Sequence, residues 1–477
     1  MKKGNIFLKL IIFLISGLTI ITSCDVVELE EDPRSFIPPE GFFNTPAQIE
    51  SILAGTMRRS FSEWSGYAYD PGFHRNSDQN EGGNLVITQN FGAGKWALHY
   101  ANIKDINHAV KAMVAGNLEN ATASVQDELM GQLKFLRAWN YFQLVRHWGG
   151  LPILTEETPE YFSALPSRAS VADVYTLIES DLIEAISKLP EDWGAKVGRP
   201  TRDVAKGMLA KVYVTMATAP LNEPSNYQKA AAMAKEVMDA GKYSLVDSIG
   251  DVFSFETKYG PEMMWSYNAN DQARSTDPRI WSAIEGWGDY SADRFWVDSV
   301  YPEQPRKYEY LELFSKDGVH HDSLGQGIGI NKFLYDTWEN FDRGVTTINI
   351  PILRYADVLL IFAEADNMAN GGPTQAAVDA INQVIDRANG YVPNPEYPLL
   401  TTGMSRDEFD MAVINERSYE LCFEYDRWTD MVRKRIIPDV VRDFYLVNFT
   451  EADYLFPIPE SEIRLNPNME QNPGYGL

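Results

Sequence analysis

Over most of the chain from Thr45 onward, apolar residues recur at intervals of three and four with polar residues between them. That period confines the chain to amphipathic helices, each of which must bury a stripe against a neighbour. The runs predict helices near 45–60, 94–117, 124–147, 170–188, 201–217, 226–240, 351–370, 373–388 and 405–434. Gly149, Gly150 and Pro152 close one of them, and Gly371, Gly372 and Pro373 separate another pair. Glycine accepts the left-handed turn past a helix end and proline cannot continue the hydrogen-bond ladder. The fold class is therefore mainly α.

Several of these helices carry a small residue followed three positions later by an aromatic one, as in Ala138 with Tyr141 and Ala210 with Tyr213. Ala365, Met368, Ala377 and Ile381 repeat the interval across a complete helix, turn and helix. This is the spacing of a tetratricopeptide-like helix pair, in which a small residue admits the neighbouring helix. From about 253 to 350 the pattern fades into Gly, Trp, Tyr and Asp with short β-prone runs such as Met263 to Tyr267. A loop-rich excursion of that length inside a helical body is where a binding function is expected, and its aromatic content argues against disorder.

The N-terminus places Lys2 and Lys3 before an apolar run from Ile6 to Ile21, ending in Thr22, Ser23 and Cys24. The run is too short to span a bilayer and reads as a secretory signal over residues 1–23, with Cys24 as the lipid-attachment residue. Residues 24–44 read as a lipid-attached acidic tether, since Asp25 to Asp32 is rich in carboxylates. Cys422 is the one other cysteine, so no internal disulfide is available once Cys24 carries lipid, and stability must come from a large core. A formal net charge of −25 repels phosphate backbones and excludes nucleic acid as a partner.

Glu416, Glu420, Glu424 and Arg427 lie at intervals of four, four and three, which on one continuous helix places them on one face. Like charges so spaced repel, so they require cations from elsewhere, for which Arg354, Arg387, Arg417 and Arg433 are available. They read as braces between helices; a glycosidase would need two acids across a sugar-sized cleft, which charges inside a packing motif suit poorly. His320 and His321 are chain neighbours, expected to point apart and not to share a metal, and Asp317 to Asp322 lacks the acidic ladder of an EF-hand. No metal-binding, thiol-pair or phosphate-loop motif is present, and no cofactor is expected. The Asn-, Pro- and Gly-rich segment from Asn466 to Gly474 predicts rigid turns that pack against the body.

The aromatic residues of the loops are the candidates for a ligand. A sugar presents an apolar face of C–H groups and a rim of hydroxyls, which flat rings beside amides and carboxylates match. In the excursion, Trp281, Trp287 and Tyr290 sit among Gly286, Gly288, Asp289 and Ser291, and Trp338 lies near Asn340 and Asp342. A second loop, from Trp64 to Phe91, offers Tyr67, Tyr69, His74, Asp78 and Asn80 and is expected to face the first. The leading ligand-binding residues are thus Trp281, Trp287, Tyr290, Trp338, Tyr67 and Asp78. Trp96, Trp139, Trp148, Trp265 and Trp428 are assigned to the core, because they fall within helical or packing stretches.

Six stretches taken in order resemble the SusD/RagB family: FLRAWNYFQLVRHWGGLPIL from Phe135, GRPTRDVAKGMLAKVYV from Gly198, PILRYADVLLIFAEA from Pro351, INQVIDRANG, ERSYELCFEYDRWTDMVR from Glu416 and LFPIPESEIRLNPNMEQNPGY from Leu455. The chain departs from that pattern at Tyr425, where a small residue is common, and in its loosened lipobox. The resemblance implies one domain over 45–477, with tetratricopeptide-like helix pairs supporting an irregular ligand-binding region. It further implies a lipid-anchored protein at the outer membrane that captures an oligosaccharide or related nutrient without catalysis. As a lid, it would deliver that nutrient to a SusC-like TonB-dependent transporter. A peptide-binding uptake protein of the same family and an extracellular glycosidase are the alternatives.

Overall fold

The computed structural model describes residues 43–61, 77–81, 87–116, 118–159, 165–270, 277–334, 346–424, 426–441, 446 and 449–476. Tyr67, Trp338 and Cys24 lie outside the described residues, as do the signal and the tether up to residue 42. Among the described residues six helices come first: α1 Pro46–Phe61, α2 Ala93–Val114, α3 Ala123–Trp148, α4 Val171–Lys188, α5 Arg202–Met216 and α6 Asn226–Asp239. The excursion follows with β1 Met263–Tyr267, α7 Pro305–Tyr310, β2 Leu311–Glu312, α8 His321–Leu324, β3 Gly329–Ile330 and β4 Ile350–Arg354. The chain then returns to helices in α9 Tyr355–Asn370, α10 Gln375–Ala388, α11 Arg406–Glu420, α12 Arg427–Lys434, α13 Ile437–Val440 and α14 Glu460–Leu465.

Helix starts are fixed by side-chain caps that satisfy orphan N–H groups: Thr122, Thr201 and Thr374 each accept from a backbone N–H three residues on, and Ser170 with Asp173 and Ser405 with Glu408 form reciprocal capping boxes. Successive helices pack as pairs, α3 on α4, α5 on α6 and α9 on α10, and α9 also packs on α6 and α11. Small residues set the approach. Ala138, Ala210, Ala365 and Ala377 are all buried, and a Cβ on Gly131 would stand 3.0 Å from Leu189. Trp96, Trp139, Trp148, Trp265 and Trp428 are buried as expected, with Trp139 and Phe135 both edge-on to Trp265. Among the described residues no helix is long and apolar enough to cross a membrane.

Two helix predictions are corrected. Residues 350–354 form strand β4, which pairs antiparallel with β1 in the register Met263↔Arg354 and Tyr267↔Ile350. The predicted helix at 351–370 thus begins only at Tyr355; Pro351, lacking an N–H, and the flanking isoleucines suit a two-stranded edge. The predicted helix at 405–434 is two helices, broken where Phe423 takes φ 62°. The break turns Glu424 out of the helical row, so that it meets Lys332 and Arg354.

The acidic row is a brace, as its spacing suggested, and the cations are partly different. Glu262, Glu416, Glu420 and Glu424 face Arg306, Lys332, Arg354 and Arg387 in a dry cluster whose side chains are at most 6% exposed. Arg417 and Arg433 belong instead to a second network with Asp357, Asp430 and Glu364, which joins α9, α11 and α12. The C-terminal turns lock onto the end of α3. Asn472 donates to the carbonyls of Trp148 and Phe456, and Trp148 Nε1 donates to Pro457.

Candidate functional site

The loop from Asp277 to Tyr290 is built from beneath. Asp277 caps the short turn Pro278–Ile280 by accepting from the Arg279 N–H, and its carboxylate also holds the Arg279 guanidinium at 2.6 and 3.0 Å. Backbone bonds then fold the loop on itself: Trp287 donates to Arg279, Gly288 to Ser282 and Tyr290 to Ile280. Gly286 is required there, because a Cβ would stand 2.3 Å from the Arg279 carbonyl.

Glu312 of β2 anchors the loop from below. It accepts from Ser282 Oγ at 2.5 Å and from the N–H groups of Ala283 and Ile284 at 2.8 and 3.1 Å. Burial pushes its carboxyl above the ordinary value, and these three donors oppose that rise. Gly329 of β3 passes so close that a Cβ would meet Glu312 Oε2 at 2.1 Å.

The three loop aromatics therefore play different parts. Trp281 and Tyr290 are 2% and 7% exposed and stack on each other at 4.8 Å, with Phe333 tilted against Trp281 at 4.8 Å. As ligand-facing rings these two positions are corrected: their faces are used in packing the loop onto the body. Trp287 is 47% exposed, with the Arg279 guanidinium lying 4.1 Å from the centre of its ring. A planar cation held by Asp277 against that ring fixes its orientation, and the exposed part of the ring forms a small shelf at the surface.

The second loop does meet the first. Glu81 N–H donates to the Ser291 carbonyl, Asn80 bridges to Ala292, and Asp293 N–H donates to the Gln79 carbonyl. Asp78, however, is a clamp. Both its oxygens accept from Arg427, at 2.8 and 2.6 Å, and its side chain is 6% exposed. This corrects its assignment to ligand contact. Glu81 was not selected from sequence; it is exposed, lies beside Ser291 at Gly327, and offers a carboxylate acceptor just past the end of the Asp277 to Tyr290 loop.

A separate cleft of about 270 Å³, also missed, opens between α1, α3 and the turn before α5. Leu53, Met57, Gln132 and Tyr267 line it, with Arg58 and the Arg199–Glu50 pair among its charged groups. The carboxylates of the acidic row lie elsewhere, wrapped by guanidinium groups and 0 to 6% exposed, so no sugar reaches them.

Residues 215–475 match the model of the SusD family, and residues 48–214 match a SusD-like model described as starch-binding and associating with the outer membrane. The chain belongs to the SusD family. Similar relatives include SusD-like protein P2 of Formosa agariphila, 27% identical over 98% of this chain and 99% of that one. A SusD-like protein of Bacteroides ovatus is 23% identical over 92% of this chain and 85% of its own length. Among solved structures, a SusD homologue from Bacteroides thetaiotaomicron superposes with a TM-score of 0.78 at 22% identity, covering 92% of this chain and 98% of that one. A laminarin-binding SusD-like protein superposes at 0.70 and 22% identity, covering 90% of this chain and 99% of that one. The mainly helical, helix-pair architecture is that of the SusD fold.

Proposed function

We propose that this SusD-family chain captures an oligosaccharide noncatalytically, with Trp287 as the stacking platform. On this reading Cys24 carries a lipid that holds the protein at the outer membrane, and the captured glycan passes to a SusC-like TonB-dependent transporter. Family membership supports the ligand class, as do the starch-binding description of one matched model and the laminarin-binding neighbour. The single observation that carries the site is the half-exposed Trp287 ring on a loop folded on itself by backbone bonds. A rigid ring costs little entropy to bind against, and Glu81 and Glu285 supply exposed acceptors for hydroxyl groups.

The test is calorimetric titration of the mature protein with laminarin and starch oligosaccharides. Trp287→Ala should weaken binding by about two- to tenfold, from loss of a stacking contact of about 0.5 to 1.5 kcal/mol, with thermal stability nearly unchanged. Glu312→Gln should also weaken it, by loosening the loop while keeping the ring. Undiminished binding in Trp287→Ala would remove this site, and new reducing ends released by the pure protein would remove the noncatalytic reading.

A further inference from the structure

His320 and His321 do not point apart. They sit where a tight turn, with Ser315 N–H donating to the Val319 carbonyl and Phe314 bridging to His320, enters the single turn of α8. That turn breaks the alternation an extended chain would impose, and the two imidazole rings lie 4.5 Å apart at 39°. Asp322 faces both: its Oδ2 is 3.7 Å from His320 Nδ1 and its Oδ1 is 3.8 Å from His321 Nδ1. One ligand atom from each of the three residues lies within 4.8 Å of the others.

Both Nδ1 atoms are engaged, that of His320 accepting from the Asp322 N–H at 3.3 Å and that of His321 donating to the Gln326 carbonyl, so the Nε2 atoms are the nitrogens left for a metal. Arms of about 2.0 to 2.2 Å at tetrahedral angles separate ligand atoms by about 3.4 Å. Because the side chains of His320 and Asp322 are 41% and 48% exposed, small rotations close the remaining gap. His321 is held firmly. Its side chain is 4% exposed, and its Nδ1 lies 3.1 Å from the Gln326 carbonyl, an orienting contact of the kind that metal-bound imidazoles carry.

We propose that His320, His321 and Asp322 form a binding site for a borderline divalent cation of the zinc class. Imidazole donors with one carboxylate favour zinc, nickel or copper over magnesium and calcium, which take shells of oxygen. One group opposes the site. The Arg294 guanidinium bonds Asp322 Oδ1 and also approaches Asp298 at 3.4 Å, so it competes with a cation for the carboxylate. The site adjoins the shelf: Lys316 N–H donates to Glu285 at 3.4 Å, and Ala292 bridges to Ile328. A bound ion would therefore pin the rim of the Trp287 loop. The inference does not depend on what ligand that loop takes.

The experiment uses the mature chain without a histidine tag, stripped with chelator and titrated calorimetrically with zinc chloride at neutral pH, with calcium and magnesium chlorides in parallel. One zinc site is expected, with no comparable calcium or magnesium binding. His320→Ala, at an exposed position, should weaken zinc at least about tenfold. Arg294→Gln should tighten it by about two- to fivefold, the worth of an exposed competing ion pair. Zinc should also slow backbone hydrogen exchange over 314–326 in the parent chain and not in His320→Ala. The proposal is overturned if zinc does not bind, if His320→Ala binds as well as the parent, if Arg294→Gln binds more weakly, or if calcium binds more tightly than zinc.

Discussion

Replacing Glu420 with glutamine tests whether the buried charge cluster is held by balance. Four carboxylates meet four cations there, and Glu420 accepts from Arg306 and Arg354 at 2.6 Å, from Arg387 at 2.7 Å and from the Tyr310 hydroxyl at 3.0 Å. Burial pushes its carboxyl up, and the guanidinium groups of Arg387, Arg354 and Arg306 outweigh burial and hold it well below the usual range. One helical turn earlier, Glu416 is bonded to a single guanidinium, that of Arg306, and there burial wins and the carboxyl is raised. Glu420→Gln keeps the shape, leaves one surplus positive charge with no water to screen it, and turns an amide N–H toward a guanidinium. Breaking a buried pair in this way costs about 3 to 5 kcal/mol. At this chain length that lowers the melting temperature by roughly 3 to 5 °C. The internal control is Asp407→Asn, which removes the exposed Arg406–Asp407 pair and should leave the melting temperature essentially unchanged. Thermal unfolding followed by circular dichroism measures both. If the two variants lose the same small amount, the cluster is not a brace and the reasoning fails.

Acid should unfold the protein through the second network. Burial would raise the Glu364 carboxyl, but Arg433 at 2.6 and 2.7 Å and Lys434 at 2.9 Å outweigh it and hold the group at about 2. A depressed carboxyl stabilises the fold above its unfolded value near 4.5 and loses that contribution as pH falls toward 2. The melting temperature should accordingly drop between about pH 5 and 2, with about 3 kcal/mol from this group alone; a flat profile across that window would contradict it. Gly198→Ala should cost about 1 to 3 kcal/mol, because φ is 84° and the new Cβ would stand 2.1 Å from Asn268 Nδ2, an amide already bonded to the Gly198 carbonyl. Gly194→Ala, with φ 58° and open space, is the control, and equal losses in the two variants on urea titration would refute the packing argument.

The helical body was legible because each helix carries its own period, caps and small-residue seams within a short window. The misread features depend on distant partners. Asp78 looks like a loop carboxylate awaiting a ligand, yet its partner Arg427 lies 349 residues away in sequence. Arg306 and Lys332, which complete the charge cluster, sit in the excursion, where no periodicity signals burial. In the same way Trp281, Trp287 and Tyr290 are equivalent in composition, and only the fold of an irregular loop separates two packing rings from one exposed ring. The rule that chain neighbours diverge holds for strands and failed for His320 and His321, because a turn lies at that point.

These observations meet in how the excursion is fastened. Excursion residues Glu262, Arg306 and Lys332, with Arg354 at the end of β4, pair across to Glu416, Glu420, Glu424 and Arg387 of the helical body. Lys332 is followed by Phe333, which packs on Trp281, which stacks on Tyr290 at the end of the loop bearing Trp287. A path of buried contacts thus runs from the acidic helix to the loop that bears the exposed ring. An apolar seam of similar area would hold the excursion against the body and tolerate sliding, whereas charges that must each find their partner allow one register. If Trp287 is the binding platform proposed above, a surface made of one ring needs that fixed register more than one made of many contacts, since its affinity would depend on the ring being in place before the ligand arrives.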